Sequence, residues 1–186
     1  EGAASVMSTS DALTNLTLGA FWGADPGQGL DFSGSFVFCV NVGPAGIGGL
    51  RIGDCDFTDD ASAPGVLVES PRTYSDWKRF SGGILPHFGS SQDQLNLVTL
   101  LNTARSAHQE SGEPPIAVTF SSLAVGRTYT LQLLFWDYID RETDIYVDGV
   151  LLYDDFNTML FNVGRDHGSV RLDTGCFLRY KFTAKD

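Results

Sequence analysis

The segment Arg127-Thr-Tyr-Thr-Leu-Gln-Leu-Leu-Phe-Trp136 decides the fold class. After Arg127 it carries no charge, no proline and no glycine. Tyr129, Leu131, Leu133 and Phe135 recur at every second position, which puts them on one side of an extended strand. The same period runs through Ser35-Phe-Val-Phe-Cys-Val-Asn-Val42. There Phe36, Phe38, Val40 and Val42 share one side, and Val37, Cys39 and Asn41 the other. Two such strands predict a core between facing sheets, in which Phe36, Phe38 and Val40 are buried together with Tyr129, Leu131, Leu133 and Phe135.

The flanks repeat the pattern. Thr143 to Val147 meets Asp148-Gly149, and Val150-Leu-Leu-Tyr153 returns; Asp-Gly between apolar runs is a strong hairpin signal. Gly43-Pro-Ala-Gly46 turns the chain, with Ile47 to Phe57 running back from Ser35–Val42. Further strands are expected at 13–18, 66–68, 116–120, 156–163, 169–172 and 176–182. Gly23-Ala-Asp-Pro-Gly-Gln-Gly29 and Ala61-Ser-Ala-Pro-Gly65 read as loops. Residues 70 to 90 look irregular and hold Tyr74, Trp77, Phe80 and Phe88. One segment is helical: Ser91-Gln-Asp-Gln94 has the capping-box form, and Leu95, Val98, Leu101 and Ala104 follow at spacings of three, with Leu97 and Leu100 widening the stripe. That helix is expected to end near Ala107. About ten strands and one helix without βαβ alternation give an all-β chain: a two-sheet antiparallel β-sandwich (jelly roll) with one short α-helix. Residues 1–29 form an N-terminal arm and first strand, and 30–186 the sandwich domain.

Composition narrows the function. The 186 residues hold 12 Lys+Arg against 23 Asp+Glu, a formal net charge of −11. Nucleic acid needs a basic face, and so does an anionic membrane surface, so neither is an expected partner. No apolar run approaches the length of a membrane span. With 42% hydrophobic and 19% charged residues, the chain has the balance of a folded domain rather than a disordered one. It opens on Glu1-Gly-Ala-Ala-Ser5, as a mature secreted chain does after signal removal, and the expected location is extracellular or at the cell surface.

Catalytic motifs are not evident. Gly43-Pro-Ala-Gly-Ile-Gly-Gly49 lacks the order of a phosphate cradle, and no Gly-x-Ser-x-Gly elbow occurs. His87, His108 and His167 are isolated, which argues against zinc. No carboxyl is singled out as a general acid, so the expected role is non-catalytic. The acidic groups are instead candidates for a structural Ca2+, which takes its oxygens from loops and strand ends. Asp54, Asp56, Asp59 and Asp60 form the leading set; Asp137, Asp140, Glu142 and Asp144, and Asp154 with Asp155, form two more. Aromatic residues among polar ones are the binding candidates. Trp136-Asp137-Tyr138-Ile-Asp140-Arg141 joins a stacking ring to groups that hold hydroxyls, as a sugar requires. Trp77 or Trp22 is expected near it, with Tyr74 as a further ring. Asn15-Leu16-Thr17 is the sole Asn-x-Ser/Thr sequon and makes Asn15 the glycosylation candidate.

Three cysteines are an odd count for a secreted chain. If Val42 and Leu50 flank a hairpin, Cys39 lies close to Cys55 and the two pair, leaving Cys176 over; otherwise all three stay reduced.

Several of these stretches together resemble the malectin-like and galactose-binding-like jelly-roll modules of secreted multi-domain proteins. They are Phe36-Val-Phe-Cys-Val-Asn-Val-Gly43, Gly48-Gly-Leu-Arg-Ile52, Leu100-Leu-Asn-Thr-Ala-Arg105, Leu123-Ala-Val-Gly-Arg-Thr-Tyr-Thr-Leu-Gln-Leu133 and Val147-Asp-Gly149. The resemblance implies a non-catalytic extracellular glycan-binding or adhesion module. It also implies one or two strands after Cys176–Phe182, where the sequence stops at Asp186. The alternative follows from that: a self-assembling structural subunit of an extracellular filament or surface layer, its sandwich completed by a strand from a neighbouring copy. An open edge is then expected at Cys176–Phe182, with the arm of residues 1–20 as donor.

Overall fold

The computed structural model describes residues 15–43, 49–59, 62–74, 85–107, 112–136, 142–158 and 172–185. Among them the chain is mostly β, with one α-helix and several small sheets. It divides into two compact units. One comprises Glu1–Ala20, Ala124–Arg171 and Gly175–Asp186, and the other Phe21–Leu123 with Leu172–Thr174.

The first unit is built on a three-stranded sheet. Its order is β1 (Leu16–Phe21), β12 (Gly175–Thr183), β9 (Thr128–Phe135). β9 and β12 pair antiparallel in unbroken register from Thr128↔Thr183 to Phe135↔Cys176. The hairpin β10 (Glu142–Val147) and β11 (Val150–Asn157) closes on Asp148-Gly149, both with positive φ as a type I′ turn demands. It packs on the sheet: Ile145, Leu152 and Phe156 share one buried cluster with Cys176, Leu178 and Tyr180, against Leu16, Leu18, Leu133 and Phe135.

The turn before β9 is tied back twice. Gly126 N–H donates to the Ala184 carbonyl at 2.8 Å, and the Ala184 N–H to the Arg127 carbonyl at 3.0 Å. The Tyr129 hydroxyl accepts from Ala124 N–H at 2.9 Å, five residues upstream, which locks the corner at which the strand starts.

The expected open edge at Cys176–Phe182 is not found. β12 is the central strand, because residues 16–21 fold back and flank it on one side while β9 flanks it on the other. A central strand needs apolar residues on both faces, and five of the six residues Gly175–Tyr180 are buried for that reason. Phe177 lies across β1 at Gly19, where an added Cβ would come within 2.5 Å of its ring. Arg179 covers the Phe177 ring at 4.2 Å and donates to Gln132 at 2.6 Å. Gly19→Ala is therefore expected to destabilise by about 1–3 kcal/mol, the cost of overpacking, as read from urea unfolding.

The second unit carries the remaining strands. β2 (Val40–Asn41), β4 (Cys55–Asp59) and β3 (Leu50–Ile52) form one sheet. β5 (Val66–Glu69) pairs with β8 (Ala117–Phe120), and β6 (Arg72–Tyr74) with β7 (Ala104–Ser106). Helix α1 (Gln92–Leu101) lies against β3. Its cap is the expected one, with Ser91 and Gln94 exchanging side-chain and backbone bonds.

Four sequence expectations change here. The strand read over Ser35–Val42 shrinks to Val40–Asn41. Phe36 is 40% exposed, Phe38 is half-buried against Phe120 at 5.8 Å, and the residue most buried is Asn41, from the opposite parity. The run from Ile47 to Phe57 is broken by a turn at Gly53-Asp54, so the antiparallel hairpin is β3–β4, and β2 pairs with β4 in parallel. Helix α1 stops at Leu101 instead of Ala107. Asn41 Oδ1 accepts the Thr103 hydroxyl at 2.8 Å, and Ala104–Ser106 is then extended into β7. The buried face of α1 is Gln94, Leu97, Leu100 and Leu101, which leaves Leu95 exposed. The seven residues expected to be buried together also divide between the units: Phe36, Phe38 and Val40 lie in the second, and the half-buried Tyr129–Phe135 set in the first.

Candidate functional site

Asp25-Pro-Gly-Gln28 is a turn by composition, and it forms one. Gln28 N–H donates to the Asp25 carbonyl at 3.1 Å, with Pro26 at the second position and Gly27 at φ +87° at the third, the type II arrangement. Trp22 N–H closes the loop on the Gln28 carbonyl at 3.0 Å. The Gln28 side chain turns inward, and its Oε1 accepts from Asp25 N–H at 3.0 Å and from Gln94 Nε2 at 3.3 Å. Gln94 is buried and its Nε2 also donates to Asp25 Oδ2 at 2.8 Å. The Ser91 hydroxyl donates to Asp25 Oδ1 at 3.1 Å. The Asp25 carboxylate thus sits on the capped N-terminus of α1, where the helix dipole favours a negative charge. One loop is held to one helix by four side chains, and at its root stands Trp22, 52% exposed.

Trp136 has the opposite environment. At 8% exposure it belongs to the packed interior and leaves no open ring face on which a sugar could stack. Trp77, Asp137, Tyr138, Asp140 and Arg141, expected to complete that site, lie outside the described residues.

The carboxylates also regroup. Asp54 Oδ2 accepts from Gly34 N–H at 2.9 Å, and Asp56 lies 3.8 Å from Arg51. Asp59 is buried and its Oδ1 accepts from Ser62 N–H at 2.8 Å. Strand alternation puts Asp56 and Asp59 on opposite faces of β4, so these two do not turn toward one ion. Asp60, Asp137 and Asp140 lie outside the described residues.

Among the described residues, the three carboxylates that meet are Asp144, Asp154 and Asp155, with ligand oxygens within 4.8 Å of one another. A bulge brings them there. Thr143 pairs with Phe156 and Ile145 with Tyr153, so Asp154 and Asp155 together oppose Asp144. Asp155 takes up the extra residue at φ +53°, and its N–H donates to Asp144 Oδ1 at 3.2 Å. Asp155 first, and then Asp144, hold the Asp154 carboxyl above its usual range. Three exposed carboxylates offer part of the oxygen shell of a hard cation, the rest coming from water. Their register-dependent meeting explains why their sequence separation does not display it.

The chain matches no family model, no curated protein and no solved structure.

Cys39 and Cys55 are joined in a disulfide, and Cys176 is a buried free thiol. The two bonded cysteines approach through the parallel pairing of β2 with β4, in which the Cys39 carbonyl accepts from Thr58 N–H at 2.9 Å, and not through the hairpin read from the sequence. Burial pushes the Cys176 thiol up to about 12. Its proton stays on in the native state while an unfolded chain loses it near the ordinary value of 9.0, so this group's contribution to stability falls as pH rises between those values. At pH 8.5 an aromatic disulfide reagent is expected to label no thiol in the native protein and one after denaturation without reductant. Rapid native labelling would contradict the burial.

Proposed function

We propose that this chain is a non-catalytic, extracellular glycan-binding or adhesion module, and that Trp22 is its contact residue. The observation that carries the reading is a half-exposed indole on a loop whose backbone is already fixed. A preorganised ring loses little freedom when a sugar stacks on it, and tryptophan is the residue most often found at binding hot spots. The disulfide is in keeping with an oxidising compartment. The corner bond from Ala124 to Tyr129 favours a two-sheet sandwich of the jelly-roll kind, and with it the likeness to malectin-like and galactose-binding modules.

A glycan array probed with wild type and Trp22→Ala tests the reading. Wild type is expected to bind a defined subset, and the variant to lose at least about tenfold in affinity, the weight of one hot-spot side chain. Its unfolding midpoint should not change. Equal binding by both, or binding by neither, removes the proposal.

A self-assembling structural subunit is the second reading, favoured by one observation. β9 is an eight-residue edge without charge or proline, and among the described residues it pairs with β12 alone. Such an edge is a template for a strand from another copy. Sedimentation at rising concentration is expected to show association that Thr130→Lys abolishes. A 20.1 kDa monomer at every concentration would remove this reading.

A further inference from the structure

The first unit carries a shallow hollow of about 290 Å3, lined by Asn15, Thr128, Asp148, Tyr180, Phe182 and Lys185 with their neighbours. Asn15 is also the acceptor residue of the chain's single sequon. We propose that Asn15 is an N-glycosylation site, and that the first sugar of its glycan lies in this hollow against Phe182.

Three features of the chain support this. Asn15 is in a turn immediately before β1, and both Asn15 and Thr17 are exposed while Leu16 and Leu18 between and beyond them pack against the core. The two residues that a glycosyl-transfer enzyme must read are therefore both open to solvent. The backbone there is fixed, because the Asn15 carbonyl accepts from Lys181 N–H at 3.0 Å. A sugar joined to Asn15 is thus delivered to the same side of the same surface each time. Phe182 is half-buried and stacked on Tyr180 with ring centroids 6.2 Å apart and planes 5° apart, which gives the hollow an apolar floor. Asp148, Thr128 and Lys185 at the wall offer the polar partners that sugar hydroxyls need.

The step balances simply. Asn15 Nδ2 attacks the anomeric carbon of an oligosaccharide carried on a lipid diphosphate. The C1–N bond forms, the C1–O bond to the diphosphate breaks, the lipid diphosphate leaves, and the amide gives up one proton to base. The inference rests on the extracellular part of the proposed function, and not on Trp22.

The test is expression of wild type, Asn15→Gln and Thr17→Ala through a eukaryotic secretory pathway, alongside a glycoprotein control. Intact mass should exceed the 20.1 kDa polypeptide by one glycan in wild type and equal it in both variants. Amine acylation of Lys185 should be slower in the glycosylated protein than in Asn15→Gln. A wild-type mass equal to the bare polypeptide, with the control modified, overturns the site. A glycan on Asn15 that leaves Lys185 acylation unchanged overturns its seat in the hollow. Loss of glycan-array binding by Trp22→Ala bears on neither result, so the two proposals fail separately.

Discussion

Phe156→Ala is expected to cost about 3–5 kcal/mol of unfolding free energy, as deletion of a fully buried ring generally does. Phe156 is 1% exposed. Its ring lies 4.9 Å from Phe135 on the sheet and 5.6 Å from Tyr153 on its own hairpin, the latter edge-on. Removing it takes away a buried side chain through which β11 packs on the sheet strand β9. A domain is stable by only about 5–15 kcal/mol, so the loss is a large share of the total. Urea unfolding of the variant should show the midpoint lowered with little change in slope. Phe156→Leu, which keeps most of the volume, should recover the greater part. A loss under about 1 kcal/mol would mean that the hairpin does not pack on the sheet in solution.

The second large effect is expected from the disulfide. Cys39 and Cys55 are 16 apart in sequence, and in the chain-entropy picture a loop of that size is worth about 3 kcal/mol. Cys39→Ser/Cys55→Ser should lose about that amount, and wild type in reductant should fall to the same level. The short strand β2 makes only two ladder pairs with β4, so the covalent link adds to the few hydrogen bonds that hold it in place. Thr58 N–H and its hydroxyl, which both donate to the Cys39 carbonyl, should exchange faster with solvent in the double variant. Unchanged stability with and without reductant would show that the bond does not form.

What the sequence could convey divides along physical lines. Features set by neighbours in the chain were legible. The Asp148-Gly149 turn closes its hairpin, Ser91 and Gln94 cap their helix, and Thr128–Phe135 is extended as its period requires. Features set by partners distant in the chain were not. Phe36 and Phe38 alternate as a strand should, but period alone does not supply a neighbour with which to pair, and only Val40–Asn41 finds one. The end of α1 depends on Asn41, more than sixty residues away, receiving Thr103. The candidate site behaves the same way. The loop from Gly23 to Gly29 was readable from its Gly and Pro, whereas its attachment to α1 through Asp25 and Gln94 was not. The meeting of Asp144 with Asp154 and Asp155 hangs on a one-residue slip in register, which composition cannot express.

The interleaving of the two units has a consequence for biosynthesis. Among the described strands β1 is made before the others, yet the strand beside which it belongs, β12, is made only after the whole stretch from Phe21 to Leu123 and the hairpin that follows it. The second unit, nearly continuous in sequence, can begin to fold as it appears. The first must wait, its early strand held in reserve with Leu16 and Leu18 unburied. Contacts so far apart in the chain form slowly, and an unpaired apolar strand is exposed to aggregation meanwhile. Refolding from denaturant, where all segments are present at once, should therefore proceed in a different order from vectorial synthesis, and slowing translation should lengthen the period for which the nascent chain needs a chaperone.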